Sequence, residues 1–127
     1  AMYGAVQFYK ACKAAGVKPI IGMETYVAPR GRQDRDPQLD RTPFHLVLLA
    51  QNDTGYHNLM RLATIAQLEG FYYKPRVDKQ VLAEYADGLI ALSGCGSSEV
   101  SRLVRAGRIA EARRVINWYR DVFPGRY

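Results

Sequence analysis

Residues 44–50, Phe44-His45-Leu46-Val47-Leu48-Leu49-Ala50, carry a single polar side chain, His45, in an otherwise apolar run. Such a run suits a strand buried on both faces, as in a parallel sheet. Before it lies a polar stretch, residues 29–43, rich in Pro, Gly, Arg and Asp and without hydrophobic period, which reads as a long loop. Further upstream, residues 18–28 (KPIIGMETYVA) supply Ile20, Ile21, Met23, Tyr26 and Val27 to a second strand. Residues 2–15 have helical spacing, with Ala5, Phe8, Cys12 and Ala15 on one face and Gly16 as a C-terminal stop. Downstream, Asn52-Asp53-Thr54 can cap a helix over 54–68 whose core stripe is Tyr56, Leu59, Leu62, Ala63 and Ala66. Gly70 to Arg76 (GFYYKPR) form an aromatic and basic loop, and Asp78 is placed to cap a short helix through Tyr85. Residues 88–93 (GLIALS) read as a third strand, and two helices follow. The last, 108–123, puts Ile109, Ala112, Ile116, Tyr119 and Phe123 on one stripe. Strands alternating with helices place the chain in the α/β class, with strands mainly parallel.

The 127 residues suffice for one domain with one modest core. No apolar segment is long enough to cross a membrane, and the first residues lack a secretory pattern, so a cytoplasmic location is expected. Cys12 and Cys95 are expected to be reduced thiols, Cys12 in the core. Eighteen Lys and Arg against twelve Asp and Glu give a net charge of +6, which favours an anionic partner, with DNA the first candidate. The absence of a GxxxxGK[ST] loop argues against that class of nucleotide binding, and the absence of a Gly-x-Ser-x-Gly elbow argues against an α/β-hydrolase.

Three residues of metal-ligand type fall at strand ends: Glu24, His45 and Cys95. Glu24 interrupts an apolar strand, and a buried carboxylate there needs a partner, a metal or water. His45 opens the next strand, and Cys95 sits in a Ser-Gly-Cys-Gly turn where glycines let the backbone bend. Carboxylate, imidazole and thiolate together suit zinc. Taken singly, each is more simply a structural residue, because no local His-x-His or Cys-x-x-Cys pair is present. The turn 93–98 reads as a phosphate cradle or as a plain strand-to-helix turn. The aromatic loop 70–76 either stacks on single-stranded nucleic acid or ties itself to the core. His57 is expected on the surface.

The segments MYGAVQFYKACKAAGVKPIIGMETYVAP, FHLVLLAQNDTGYHNLMRLA, LEGFYYKPRVDKQVL and GLIALSGC, colinear over nearly the whole chain, resemble the PHP domain of bacterial replicative DNA polymerase III alpha subunits. The resemblance implies a fragment of a PHP-type distorted β/α barrel, its mouth holding divalent metals (zinc, manganese or magnesium). It implies Glu24, His45 and Cys95 as metal-ligand positions. The family's His-x-His, Thr-Asp-His-Gly and Asp-x-His motifs have no counterpart here, so residues 1–127 are expected to be a partial PHP domain, its metal set partial or absent.

Implied for the parent are DNA polymerisation in replication and, in the PHP part, metal-dependent phosphoesterase or 3′–5′ exonuclease activity. DNA, the other replicase subunits and the proofreading subunit are the implied partners. The alternative is a non-catalytic scaffold that docks polymerase and proofreading subunit. A stand-alone sugar or histidinol phosphatase of the PHP kind fits less well, because LEGFYYKPR resembles the polymerase branch. With neighbouring strands missing, the fragment is expected to self-associate.

Overall fold

Side chains alternate between buried and exposed along β1 (Gly22–Val27), with Met23, Thr25 and Val27 inward and Glu24 outward. The computed structural model describes residues 2–127. Around β1 are α1 (Ala5–Ala14), β2 (Phe44–Ala50), α2 (Asp53–Leu68), β3 (Arg76–Val77), α3 (Lys79–Glu84), β4 (Leu89–Leu92), α4 (Glu99–Arg105) and α5 (Ile109–Val122). The four strands form one open sheet in the order β3-β1-β2-β4.

The expected parallel arrangement is corrected here. β1 pairs antiparallel with β2, β2 antiparallel with β4, and only the short β1–β3 pair is parallel. The apolar run 44–50 is also not buried on both faces. Leu46 and Leu48 are buried, whereas Val47 and Leu49 face the other way and are half-buried. An apolar run records that both faces avoid charge; it carries no information on strand direction. The sheet has one more strand than the sequence reading found, the two-residue β3. A closed barrel is not present in this open sheet.

The core lies on the face carrying Met23, Val27, Leu46, Leu48, Leu89 and Ala91. Across it runs α2, touching all four strands. Asn52 is extended, with φ −155°, and its side chain accepts from Gly55 N at 3.0 Å, the N-cap expected from the sequence. Leu59, Leu62 and Ala66 are buried. Gly55 allows a backbone contact that no side chain permits: a Cβ there would lie 1.9 Å from Gly88 O. Asp78 caps α3 through Val81 N at 3.1 Å, also as expected. In α5 the buried stripe is Ala112, Val115 and Tyr119, continued by Phe123. Val115 replaces the expected Ile116, which sits half-buried on the flank, and Ile109 is exposed.

α1 departs furthest from expectation. None of its residues is buried. Phe8 is 49% exposed and borders an apolar cleft with Ile20, Val47 and Leu49, so the helix leans over the open sheet face without closing on it. Cys12 is half-buried, not a core residue.

Loop 29–43 has no regular structure but a fixed path, because Arg76 is fully buried beneath it. Its guanidinium donates from Nε to Gly70 O at 3.0 Å, from Nη1 to Asp40 O at 3.1 Å, and from Nη2 to Arg32 O and Asp34 O at 2.9 Å each. Gly70 is required at this joint, since a Cβ would meet Arg76 O at 1.8 Å. Burial, with the nearby Arg35 charge, draws the Arg76 pKa below the usual guanidinium value. Asp40 closes the loop, accepting from Arg30 Nε at 2.9 Å, Arg30 Nη2 at 2.5 Å and Asp36 N at 2.8 Å. Arg32 ties the loop to Glu69 at 2.7 Å and to Asp78 at 3.1 Å.

Arg76→Ala strands four carbonyls and opens a void. The expected loss is on the order of 3 kcal/mol in urea unfolding, with proteolysis rising first within 29–43. The hydrogen bonds from Arg30 draw the Asp40 pKa down from 3.8 to about 2. A depressed carboxylate stabilises the fold above its unfolded value and loses that contribution as pH falls through its folded value. Acid unfolding followed by near-ultraviolet dichroism is therefore expected to have a component between about pH 4 and pH 2 that Asp40→Asn removes.

Candidate metal centre

The outward face of the sheet gathers all three residues singled out from the sequence. Antiparallel register sets Tyr26 opposite His45 and Glu24 opposite Val47, so Glu24 and His45 are diagonal neighbours on one face. Glu24 Oε1 lies 2.7 Å from His45 Nδ1. An ionised carboxylate only accepts, so Nδ1 carries the proton of this bond. In a neutral imidazole that leaves Nε2 as the nitrogen with a free lone pair. Cys95 Sγ is 3.7 Å from the same Nδ1.

Glu24 is therefore not the buried carboxylate expected from its apolar strand. Its side chain is 55% exposed and finds its partner in His45. The strand is apolar on the core side only, and Glu24 occupies the alternate face.

The turn bearing Cys95 is fastened to the start of β2. His45 N donates to Ser97 O at 3.2 Å, and Ser97 N donates to Cys95 Sγ at 3.3 Å. Gly94, at φ +75°, makes the bend at a close approach to His45 O. Arg105 Nη2 donates to Gly96 O at 2.5 Å. Ser98 caps α4 by accepting from Ser101 N at 3.2 Å. This turn is a strand-to-helix connection, fastened by these bonds and by Ser98 N donating to Cys95 O at 3.0 Å.

Two residues beside the site were not singled out from the sequence. The Tyr26 ring packs edge-on against His45, with centroids 5.2 Å apart at 79°. Lys74 Nζ lies 5.7 Å from the Tyr26 ring centroid. Tyr26 follows Glu24 by two residues, and strand alternation alone puts both on one face. Lys74 arrives from a distant loop and leaves no such trace. His57 is exposed, as expected, with Nδ1 2.8 Å from Asp53 O.

In kind, the donor set fits a zinc-class cation: one carboxylate, one imidazole and one thiol, leaving a position for water. In arrangement, Glu24 is bonded to His45. Among the described residues no three His, Cys, Asp or Glu side chains stand ready to hold a metal ion.

The model of the PHP domain family matches residues 1–127. The chain belongs to the PHP domain family. Within it, the chain is similar to the DNA polymerase III subunit alpha of Thermus aquaticus, at 50% identity over 128 residues and 99% of this chain. It is likewise similar to the DNA polymerase III subunit alpha of Treponema pallidum, at 49% over 123 residues and 96% of the chain, and to that of Borreliella burgdorferi, at 45% over 123 residues and 96%. The chain spans about a tenth of the length of these relatives, 10% of the first two and 11% of the third.

Both cysteines are free, Cys95 exposed and Cys12 half-buried. Thiol labelling is expected to modify Cys95 several times faster than Cys12. Cys95→Ser removes the fast phase; equal rates at the two thiols contradict the placement of the turn.

Proposed function

We propose that this chain is part of the PHP domain of a replicative DNA polymerase alpha subunit, acting in cytoplasmic DNA replication. The single observation that carries this is similarity to DNA polymerase III alpha subunits at 41–50% identity over nearly the whole chain. DNA and the other subunits of the replicase, including a proofreading subunit, are its proposed partners. Residues 1–127 form a partial domain in this reading, with further metal motifs lying outside them. No helix among the described residues is long and apolar enough to cross a membrane.

For the site, the proposal is a phosphoesterase or 3′–5′ exonuclease centre to which Glu24, His45 and Cys95 contribute metal-ligand positions. The chemistry a divalent cation supplies there is activation of water and neutralisation of charge on a phosphoryl oxygen. Glu24 Oε1 and Cys95 Sγ both approach His45 Nδ1, at 2.7 Å and 3.7 Å, so a cation shared by the three would be held at that nitrogen in place of its proton. Cys95 is presented by a turn already bent toward His45. Tyr26 walls one side of the ring and limits its rotation.

A second reading, a scaffold that steadies the polymerase and docks the proofreading subunit, is favoured by one observation. Glu24 and His45 already satisfy each other, so the pair has a structural role without any metal.

Elemental analysis before and after chelation separates the two. About one zinc per chain, lost in Cys95→Ala and His45→Ala, is the outcome expected of the metal centre. Absence of metal, together with unchanged 3′–5′ nuclease activity of the parent polymerase carrying Glu24→Ala and Cys95→Ala, leaves the scaffold reading.

A further inference from the structure

The segment Gly70-Phe71-Tyr72-Tyr73-Lys74 doubles back on itself, with Tyr72 N donating to Lys74 O at 3.0 Å. At its tip Tyr73 has φ 57°, the only non-glycine residue with positive φ among those described. A tyrosine in the left-handed region is costly, and such strain persists only where the surroundings enforce it. Here they do. Arg76 is buried at the base of the turn, bonded to Gly70 O, and its guanidinium lies 5.2 Å from the Tyr72 ring.

The consequence is a division of labour among the three aromatics. Tyr72 is held against the body, as the core-tying reading of this loop requires. Phe71 and Tyr73 are turned outward, 52% and 60% exposed. The Arg41 guanidinium stands 5.2 Å from the Tyr73 ring, and Lys74 flanks the turn on the Tyr26 side. Both cations are exposed, and among the described residues neither has a carboxylate partner. The carboxylates nearby are engaged: Asp40 by Arg30, and Glu69 and Asp78 by Arg32. The uncompensated charge at the turn is thus positive, on a chain whose net charge is +6.

We propose that the Phe71–Lys74 turn, with Arg41, is a docking platform for single-stranded nucleic acid. Phe71 and Tyr73 offer ring faces to unpaired bases, and Arg41 and Lys74 take the phosphates. Bases in a duplex are already stacked and have no face to give; an unpaired strand offers one at every nucleotide. An acidic protein segment satisfies the cations but has no use for two outward rings. The platform is continuous with the candidate centre, since Lys74 adjoins Tyr26 and Tyr26 adjoins His45. A strand lying along it points toward Glu24, His45 and Cys95; this direction rests on the proposed site function, whereas the binding does not.

The test is fluorescence anisotropy of labelled oligothymidylate with the whole chain in a metal chelator, so that failure of the metal centre cannot mask or mimic the result. Phe71→Ala with Tyr73→Ala is expected to weaken binding by about tenfold or more. Tyr73→Gly provides the folding control, because glycine accepts positive φ: thermal stability is retained and affinity falls several-fold. Tyr73→Phe keeps the affinity. Arg41→Ala and Lys74→Ala each reduce the salt dependence by about one counterion. The proposal is overturned if the double variant binds like the unaltered chain, if duplex of equal length binds as tightly, or if oligoglutamate competes as well as oligothymidylate.

Discussion

One buried guanidinium organises the long loop 29–43 and the turn that follows Gly70. Arg76 enters the sheet at β3, where its backbone pairs with Tyr26, and its side chain collects four carbonyls from residues 32, 34, 40 and 70. An arginine is the only side chain that can do this, because its planar fork offers donors in several directions at once and remains charged. Removed from water, the charge is tolerated because each donating edge meets an acceptor. All four partners are backbone atoms. The path of loop 29–43 is thus set by main-chain carbonyls on the inside and by the side chains of Arg30, Arg32 and Asp40 around them. Arg76 also seats the turn that carries Tyr73, so a loop path and an exposed aromatic pair depend on one group.

Much of the fold was legible in the sequence, and the failures share a cause. Helix caps at Asn52 and Asp78 were readable because a short polar side chain before an apolar period has one favourable use. Strand positions were readable from their apolar content. Strand direction was not, since Phe44–Ala50 looks the same in either sense, and the half-buried Val47 and Leu49 gave the run its two-sided appearance. The face of α1 was misjudged for a related reason: spacing identifies which side chains share a stripe, not whether anything closes over them. β3 was missed because two residues carry no period.

The candidate site divides along similar lines. Glu24, His45 and Cys95 come from three separate segments, and no local spacing links them; the family resemblance brought them together, and the antiparallel register of β1 and β2 explains how two of them meet. Their chemistry, a carboxylate that orients an imidazole with a thiol beside it, suits both a ligand set and a self-satisfied hydrogen-bonded group. Loop 70–76 is divided by position. Tyr72 serves the interior, and Phe71 and Tyr73 do not.

The bare contact between Gly55 and Gly88 has a consequence for comparing sequences. At this joint the first turn of α2 rests directly on the backbone that leads into β4, with no side chain between to shrink or grow. Most packed positions can drift together, one residue enlarging as its neighbour contracts. A contact between two glycine backbones has nothing left to give up. A sequence placed on this fold with a side chain at position 55 thus has either a shifted alignment or a helix seated differently on its sheet. The pair serves as a fixed mark for judging distant members of the family where overall identity has faded.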